Sequence, residues 1–191
     1  MTVSRYVWSR LLAVLAAATL ALADAEATQP ERVLAGVLDV LAGDWNEDGE
    51  VDRAVLWRPR VEDPRVDLFV FLSGQAPQVL PGAAWSGDGW GSFPELRTAA
   101  RGFAVISGNR AAGREPWEVV FDVAWRGGRL WVVAYRYSRY GSSGADGGLL
   151  CLVEFASGWG EKNGVRFAVK PEPVPLEAWS EELLPTGCRR R

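Results

Sequence analysis

The chain has 191 residues, a formal net charge of -3 at pH 7, and 48% hydrophobic residues. This length suits a single domain with a sizeable core after removal of an N-terminal leader. The sequence contains no histidine, which excludes Ser-His-Asp and Cys-His catalysis and histidine-ligated zinc. Positive charge forms no basic stripe of the kind that binds nucleic acid, so no nucleic-acid partner is expected.

The N-terminal segment has the pattern of a secretory signal peptide. Arg5 and Arg10 accompany a short apolar run over residues 11–22, and small residues suited to cleavage follow it. The run is too short and wrongly flanked for a transmembrane helix, and no later stretch is apolar enough to span a bilayer. We therefore expect a signal peptide over residues 1–25, one β-rich domain over residues 26–191, and a periplasmic or secreted protein. An uncleaved N-terminal anchor is the alternative.

The next segment leads into an acidic loop. Residues 31–42 carry apolar side chains at a helical spacing, although the C-terminal part of this segment also suits a strand. The loop that follows, GDWNEDGEVDRAVL over residues 43–56, spaces its oxygen donors as a calcium loop does. Gly49 permits a sharp bend, and Trp45 and Glu47 are expected to point outward between the ligands. The candidate ligands at relative positions one, three, five and seven are Asp44, Asn46, Asp48 and the carbonyl of Glu50.

An EF-hand does not explain this loop, because Val55 stands at the twelfth position, where an EF-hand has a bidentate glutamate. The register D-x-N-x-D-G-x-x-D, which ends at Asp52 and runs into a strand-like segment, resembles the FG-GAP/VCBS type of repeat. The motif is single, which counts against a multi-bladed propeller. An Asx-rich turn without an ion is the alternative. The resemblance implies a structural calcium ion held by Asp44, Asn46, Asp48, Asp52 and the Glu50 carbonyl.

The rest of the chain predicts a mainly β fold of antiparallel sheets, either a meander or a sandwich, with propeller-like pieces as a further option. Gly127 and Gly128 separate two strand-like runs and suit the positive φ angles of a type I′ hairpin turn. A short C-terminal helix is predicted over residues 176–184. On the first hairpin strand, alternation places Trp117, Val119, Phe121 and Val123 on one face and Glu118, Val120, Asp122 and Ala124 on the other.

The two cysteines, Cys151 and Cys188, suggest one disulfide bond in an exported chain. Closing this loop stabilises a protein by about 3–4 kcal/mol in the chain-entropy model. Two free buried thiols are the alternative.

Aromatic and acidic side chains supply the remaining candidates for function. Trp85 and Trp90, in a glycine-rich loop, are the candidate ligand surface, although most tryptophans in β proteins pack. The leading hypothesis is an exported, non-enzymatic β domain with one calcium loop and a surface that binds an unknown protein or glycan. The alternative is a carbohydrate-active protein, either a sugar-binding module or a glycoside hydrolase with paired carboxylates. The available carboxylates are Asp88, Glu95, Glu118, Asp122 and Glu154.

Overall fold

The computed structural model describes residues 35–60, 62–87, 94–109, 116–139 and 148–189. Across these ranges the chain is mainly β and forms two antiparallel sheets, as the sequence predicts. The predicted signal peptide lies outside the described residues, as do Asp88 and Trp90.

The first sheet is a four-stranded meander in the order β1-β2-β3-β4. Its strands are β1 Val37–Gly43, β2 Asp52–Trp57, β3 Arg65–Phe71 and β4 Gln78–Trp85. The segment that the sequence left open between helix and strand is thus a strand from Val37 onward. Strict alternation in β3 buries Val66, Leu68 and Val70 completely, which directs one face of this sheet toward the core.

The second sheet is also antiparallel, and its strands follow the order β11-β10-β9-β8-β7-β6-β5. A further short strand, β12, pairs with the beginning of β8, while β9 pairs with the rest of β8. The strands are β5 Glu95–Ala99, β6 Gly102–Asn109, β7 Trp117–Arg126, β8 Arg129–Arg139, β9 Leu149–Glu154, β10 Trp159–Lys162, β11 Val165–Ala168 and β12 Val174–Pro175.

The β7–β8 hairpin confirms the predicted turn. Gly127 and Gly128 have φ angles of 56° and 86°, and Arg126 pairs with Arg129 across them, as a two-residue type I′ turn requires. The predicted alternation also holds. Val119, Phe121 and Val123 belong to the main core, whereas Val120 joins Ala104 and Ile106 in a small cluster apart from it.

The two sheets share the main core and are joined by specific contacts. The rings of Trp45 and Phe103 lie 4.6 Å apart between centroids. In addition, the carboxylate of Asp39 in β1 accepts a hydrogen bond of 2.7 Å from the backbone N–H of Leu96 in β5. A polar contact therefore connects strands that belong to different sheets.

The C-terminal segment forms short 3-10 turns, at Leu176–Ala178, Glu181–Leu183 and Thr186–Cys188, in the region where the sequence predicts a short helix. Trp179 has an extended backbone, with ψ of 131°, and its indole contacts Phe121, Tyr135 and Phe155. Because this ring inserts into the core, the segment forms separate 3-10 turns and not the single helix that the sequence predicts.

The predicted disulfide bond between Cys151 and Cys188 is confirmed, with 5.5 Å between the two Cα atoms. Both residues are buried. The bond joins β9 to the last 3-10 turn and so fastens the C-terminal segment to the larger sheet.

Candidate functional site

The acidic loop connects β1 to β2, and the pairing of Gly43 with Asp52 closes it. Gly49 has a φ of 87°, consistent with the predicted sharp bend. Glu47 also adopts a positive φ, of 61°, which is uncommon for a residue with a side chain. The loop is thus a tight turn at one end of the first sheet.

The candidate ligands fold over the backbone of the loop. Asp44 accepts hydrogen bonds from the N–H groups of Asp48 and Gly49, at 3.1 and 3.0 Å. The Oδ1 atom of Asn46 lies 3.2 Å from the same Asp48 nitrogen. Asp48 in turn accepts a hydrogen bond of 2.8 Å from the N–H of Glu50. Oxygens of Asp44 and Asn46 therefore share one backbone donor, the N–H of Asp48.

Ser73 is a member of this cluster that the sequence did not indicate. It follows β3, and its hydroxyl donates to Oδ2 of Asp48, which also accepts a hydrogen bond of 2.7 Å from Asn46. The Ser73 hydrogen bond, with a smaller contribution from the N–H of Glu50, lowers the pKa of Asp48. No local sequence motif predicts the contact of Ser73 with Asp48, because the pairing of β2 with β3 brings the two residues together.

Asp52 differs from the other candidate ligands because its side chain is completely buried. One carboxylate oxygen accepts hydrogen bonds from the N–H groups of Trp45 and Asn46, at 2.8 and 3.4 Å. The other oxygen accepts a hydrogen bond of 2.9 Å from the N–H of Ser73. The carboxylate thus joins the start of the acidic loop to the β3–β4 connection.

The expectation that Trp45 points outward is wrong. Its side chain is only 8% exposed and packs against Phe103 of β6, because the Asp52 carboxylate holds the Trp45 backbone in an orientation that turns the indole inward. Glu47 is exposed, as expected. The acidic loop is therefore anchored in the core between the sheets.

The chemistry of the loop suits a hard cation. Asp44, Asn46 and Asp48 present carboxylate and amide oxygens, which are the donors that calcium prefers. The hydrogen bonds given above are those of an Asx-rich turn. In the part of the chain that the structure describes, no three Asp, Glu, His or Cys side chains are grouped so as to hold a metal ion.

A groove of about 650 Å³ adjoins the acidic loop. The acidic loop contributes Asp44 and Glu47 to its lining, and the ends of β5 and β7, with the turns that follow them, contribute the rest of the second-sheet lining. The β5–β6 turn places Arg101 along the groove, and the end of β7 places Trp125 and Arg126 there. An aromatic ring with charges of both signs gives a polar ligand several kinds of contact.

The candidate ligand surface at Trp85 is integrated into the fold. The Trp85 side chain is half-buried, and its ring centroid lies 5.7 Å from that of Trp117. The hydroxyl of Ser107 accepts a hydrogen bond of 2.8 Å from the Trp85 N–H and donates one of 3.2 Å to its carbonyl. Trp90 lies outside the described residues.

Among the candidate carboxylates, the pairing register brings Asp122 and Glu154 into one row. Each pairs with Ala134 on β8, from opposite sides, so one strand separates them. Burial raises the pKa of Asp122, and the nearby charge of Arg136 partly opposes the rise. Burial also raises the pKa of Glu154, and the charge of Asp122 adds to that effect. Glu118 forms an ion pair with Arg136, with 3.9 Å between Oε1 and Nη2.

The raised pKa of Asp122 predicts a pH-dependent penalty on stability. Between the ordinary carboxyl pKa and the raised native value, the native state holds more protons than the unfolded state, so stability falls as pH rises through this window. We expect Asp122→Asn to raise the thermal midpoint at about pH 7 and to leave it unchanged at about pH 3, where the carboxyl is neutral in both states. Thermal melting followed by circular dichroism measures both values.

Glu62→Gln is the matched control, because Glu62 is exposed. It should leave the midpoint unchanged at either pH. An Asp122→Asn protein that melts below the wild type at neutral pH would contradict the penalty.

No family model, curated protein or solved structure matches this chain. The residues that the structure describes include no helix with the length and apolar character needed to cross a membrane. The class that the fold defines is a two-sheet antiparallel β protein with one disulfide bond joining Cys151 and Cys188.

Proposed function

We propose that this protein is an exported, non-enzymatic β domain that binds one structural calcium ion in the acidic loop and a protein or glycan ligand in the adjoining groove. The observation that carries the proposal is that hydrogen bonds hold Asp44, Asn46 and Asp48 together in the β1–β2 connection. Three oxygen-bearing side chains in one tight turn match the donor set that calcium takes.

The charge of the loop supports a cation. Asp44 and Asp48 are both exposed, and both accept backbone hydrogen bonds within the same turn. Two carboxylates therefore belong to one short turn that has no lysine or arginine among residues 44–52. A divalent ion offsets the repulsion between them. In this proposal Asn46, the Glu50 carbonyl and Asp52 complete the ligands, as the resemblance to FG-GAP/VCBS repeats implies.

Anchoring of the loop supports a structural role for the ion. Trp45 inserts into the core between two ligands, and Ser73 connects Asp48 to the next strand connection. An ion in this position would stiffen the β1–β2 connection and, through Trp45, its contact with the second sheet. No step of bond making or breaking is required of it.

Export is supported by two independent features. The segment before the β domain has the composition of a signal peptide, and Cys151 and Cys188 form a disulfide bond, which persists in oxidising compartments. We therefore propose a periplasmic or secreted location.

The groove is the proposed ligand surface because it combines Trp125 with Arg101 and Arg126 beside the loop. Planar aromatic and guanidinium groups contact sugar rings and polar peptide groups alike. Since Asp44 and Glu47 line this groove, binding of an ion in the loop would also change the shape of the ligand surface.

Calcium should raise the thermal midpoint of chelator-treated protein. A ligand at about 100 times its dissociation constant stabilises the native state by about 2.7 kcal/mol, which corresponds to several degrees for a chain of this size, at about 2–4 °C per kcal/mol. Asp48→Asn should remove most of this shift, because it removes a ligand charge. Differential scanning calorimetry across a calcium titration measures the effect.

Glu62→Gln serves here too as a matched control and should keep the full calcium response. In the same titration, the indole N–H resonance of Trp125, assigned through Trp125→Phe, should shift because the loop lines the same groove. An unchanged midpoint at millimolar calcium, or a full response in Asp48→Asn, would refute the calcium site.

A further inference from the structure

A small pocket lies where the C-terminal segment meets the larger sheet. Its volume is about 320 Å³. Three cationic side chains line it, from Arg139, Lys162 and Arg189, and no acidic residue does so in the described lining. We propose that this pocket binds a phosphate group, carried by a small soluble ester, by free phosphate or by a lipid headgroup.

Strand pairing places the residues of one side of the pocket, the sheet wall, which consists of Tyr137, Arg139, Leu149 and Lys162. Cys151 pairs with Tyr137 on one side and with Lys162 on the other, so these three residues form one row across β8, β9 and β10. Arg139 and Leu149 pair with each other and lie two residues beyond that row. Side chains two residues apart on a strand share a face. The register therefore places both Arg139 and Lys162 on the face that carries Cys151.

The disulfide bond fixes the other side of the pocket, the tail wall, which consists of Thr186, Gly187 and Arg189. Cys188, which is joined to Cys151, precedes Arg189 directly. A Cβ atom added at Gly187 would lie 2.7 Å from Nζ of Lys162, so the ammonium group lies against the tail. Sheet wall and tail wall thus meet at Lys162.

Hydrogen bonds orient the third cation without neutralising it. Nε of Arg189 donates to the carbonyl of Leu184 at 2.9 Å, and its Nη2 donates to the backbone carbonyl of Glu182. Both acceptors are neutral carbonyls, so these two hydrogen bonds do not offset the positive charge of the guanidinium.

Of the three cations, Lys162 gives the strongest indication that the pocket binds an anion. Its ammonium makes no hydrogen bond or ion pair with any residue in the described ranges, whereas Lys170 pairs with Glu172 and Arg166 pairs with Glu161. A pocket lined by three cationic side chains, with no acidic side chain in its described lining, favours an anion.

Phosphate suits this arrangement better than a monovalent anion. It carries up to two negative charges and several acceptor oxygens, so one group can contact an arginine fork and a lysine ammonium together. Thr186 adds a hydroxyl to the lining, and Leu149 adds an apolar side chain beside which the organic part of an ester can lie.

The test is titration of the purified full-length protein with inorganic phosphate and with glycerol 3-phosphate, at constant ionic strength, by isothermal calorimetry. We expect saturable binding that Lys162→Gln weakens about tenfold or more, since it removes a charge-assisted hydrogen bond. Lys170→Gln is the matched control, because Lys170 is an exposed lysine paired with Glu172 outside the pocket. It should bind phosphate as the wild type does.

A vesicle arm distinguishes the two sources of the phosphate group. Retention on phosphatidylglycerol vesicles but not on phosphatidylcholine vesicles, lost in Lys162→Gln, would assign a lipid headgroup. Saturable binding of the soluble probes without vesicle retention would assign a soluble ligand. Failure of every phosphate probe to bind, an equal loss in Lys170→Gln, or full binding in both Lys162→Gln and Arg139→Gln would overturn the proposal.

Discussion

Asp52→Asn should destabilise the protein by about 2–4 kcal/mol, because it places an amide group where a buried carboxylate accepts backbone hydrogen bonds. The carboxylate is fully buried and accepts from Trp45, Asn46 and Ser73. An asparagine keeps one acceptor oxygen, but its NH₂ group faces backbone N–H groups and leaves at least one of them unsatisfied. The Trp45 backbone, which positions the indole in the core, would lose its support.

The measurement is equilibrium unfolding in urea with a chelator present, so that any contribution from calcium is absent. Asp44→Asn is the matched control, since Asp44 lies in the same loop and is exposed. It should cost about 1 kcal/mol or less. If the two variants lose the same stability, the buried carboxylate of Asp52 does not have the structural role assigned to it.

Trp179→Ala should cost about 3–5 kcal/mol, the range for truncation of a large buried aromatic side chain. The Trp179 ring contacts Phe121, Tyr135 and Phe155, with centroid distances of 5.7, 5.8 and 5.9 Å. These partners come from β7, from β8 and from the residue after β9. The resulting cavity would lie between the C-terminal segment and the larger sheet, and the disulfide bond would limit its collapse.

Leu183→Ala is the matched control for this substitution, because Leu183 belongs to the same C-terminal segment and is 53% exposed. It should change the free energy of unfolding by about 0.5 kcal/mol or less. Urea unfolding under non-reducing conditions measures both variants. A Trp179→Ala protein that unfolds at the same urea concentration as Leu183→Ala would show that the ring does not stabilise the core.

Asp52→Asn and Trp179→Ala affect different contacts between parts of the fold. Asp52 supports the contact between the first sheet and the second through Trp45, whereas Trp179 fastens the C-terminal segment to the second sheet. Because the sheets and this segment contribute to one core, both losses should appear in the same cooperative unfolding transition.

Local chemistry explains what the sequence by itself determined. Adjacent glycines accept two positive φ angles at no steric cost, so Gly127 and Gly128 identify the β7–β8 turn without knowledge of the partner sheet. Two cysteines allow only one intramolecular pairing, which made Cys151–Cys188 predictable. The spacing of Asp44, Asn46 and Asp48 likewise indicated a tight polar turn, and in the structure these three residues are joined by hydrogen bonds within the β1–β2 connection.

Only the tertiary structure decided which side chains become neighbours across strands and sheets. Period-two alternation gives Asp52 a direction within β2. Trp45 lies in the loop after β1, and its burial depends on the second sheet, which supplies Phe103. Ser73 reaches Asp48 through the β2–β3 register. Likewise, Arg139 and Lys162 share a face because both strands flank β9. Such contacts follow from register and sheet packing, which pair residues far apart in the chain and leave no local pattern in it.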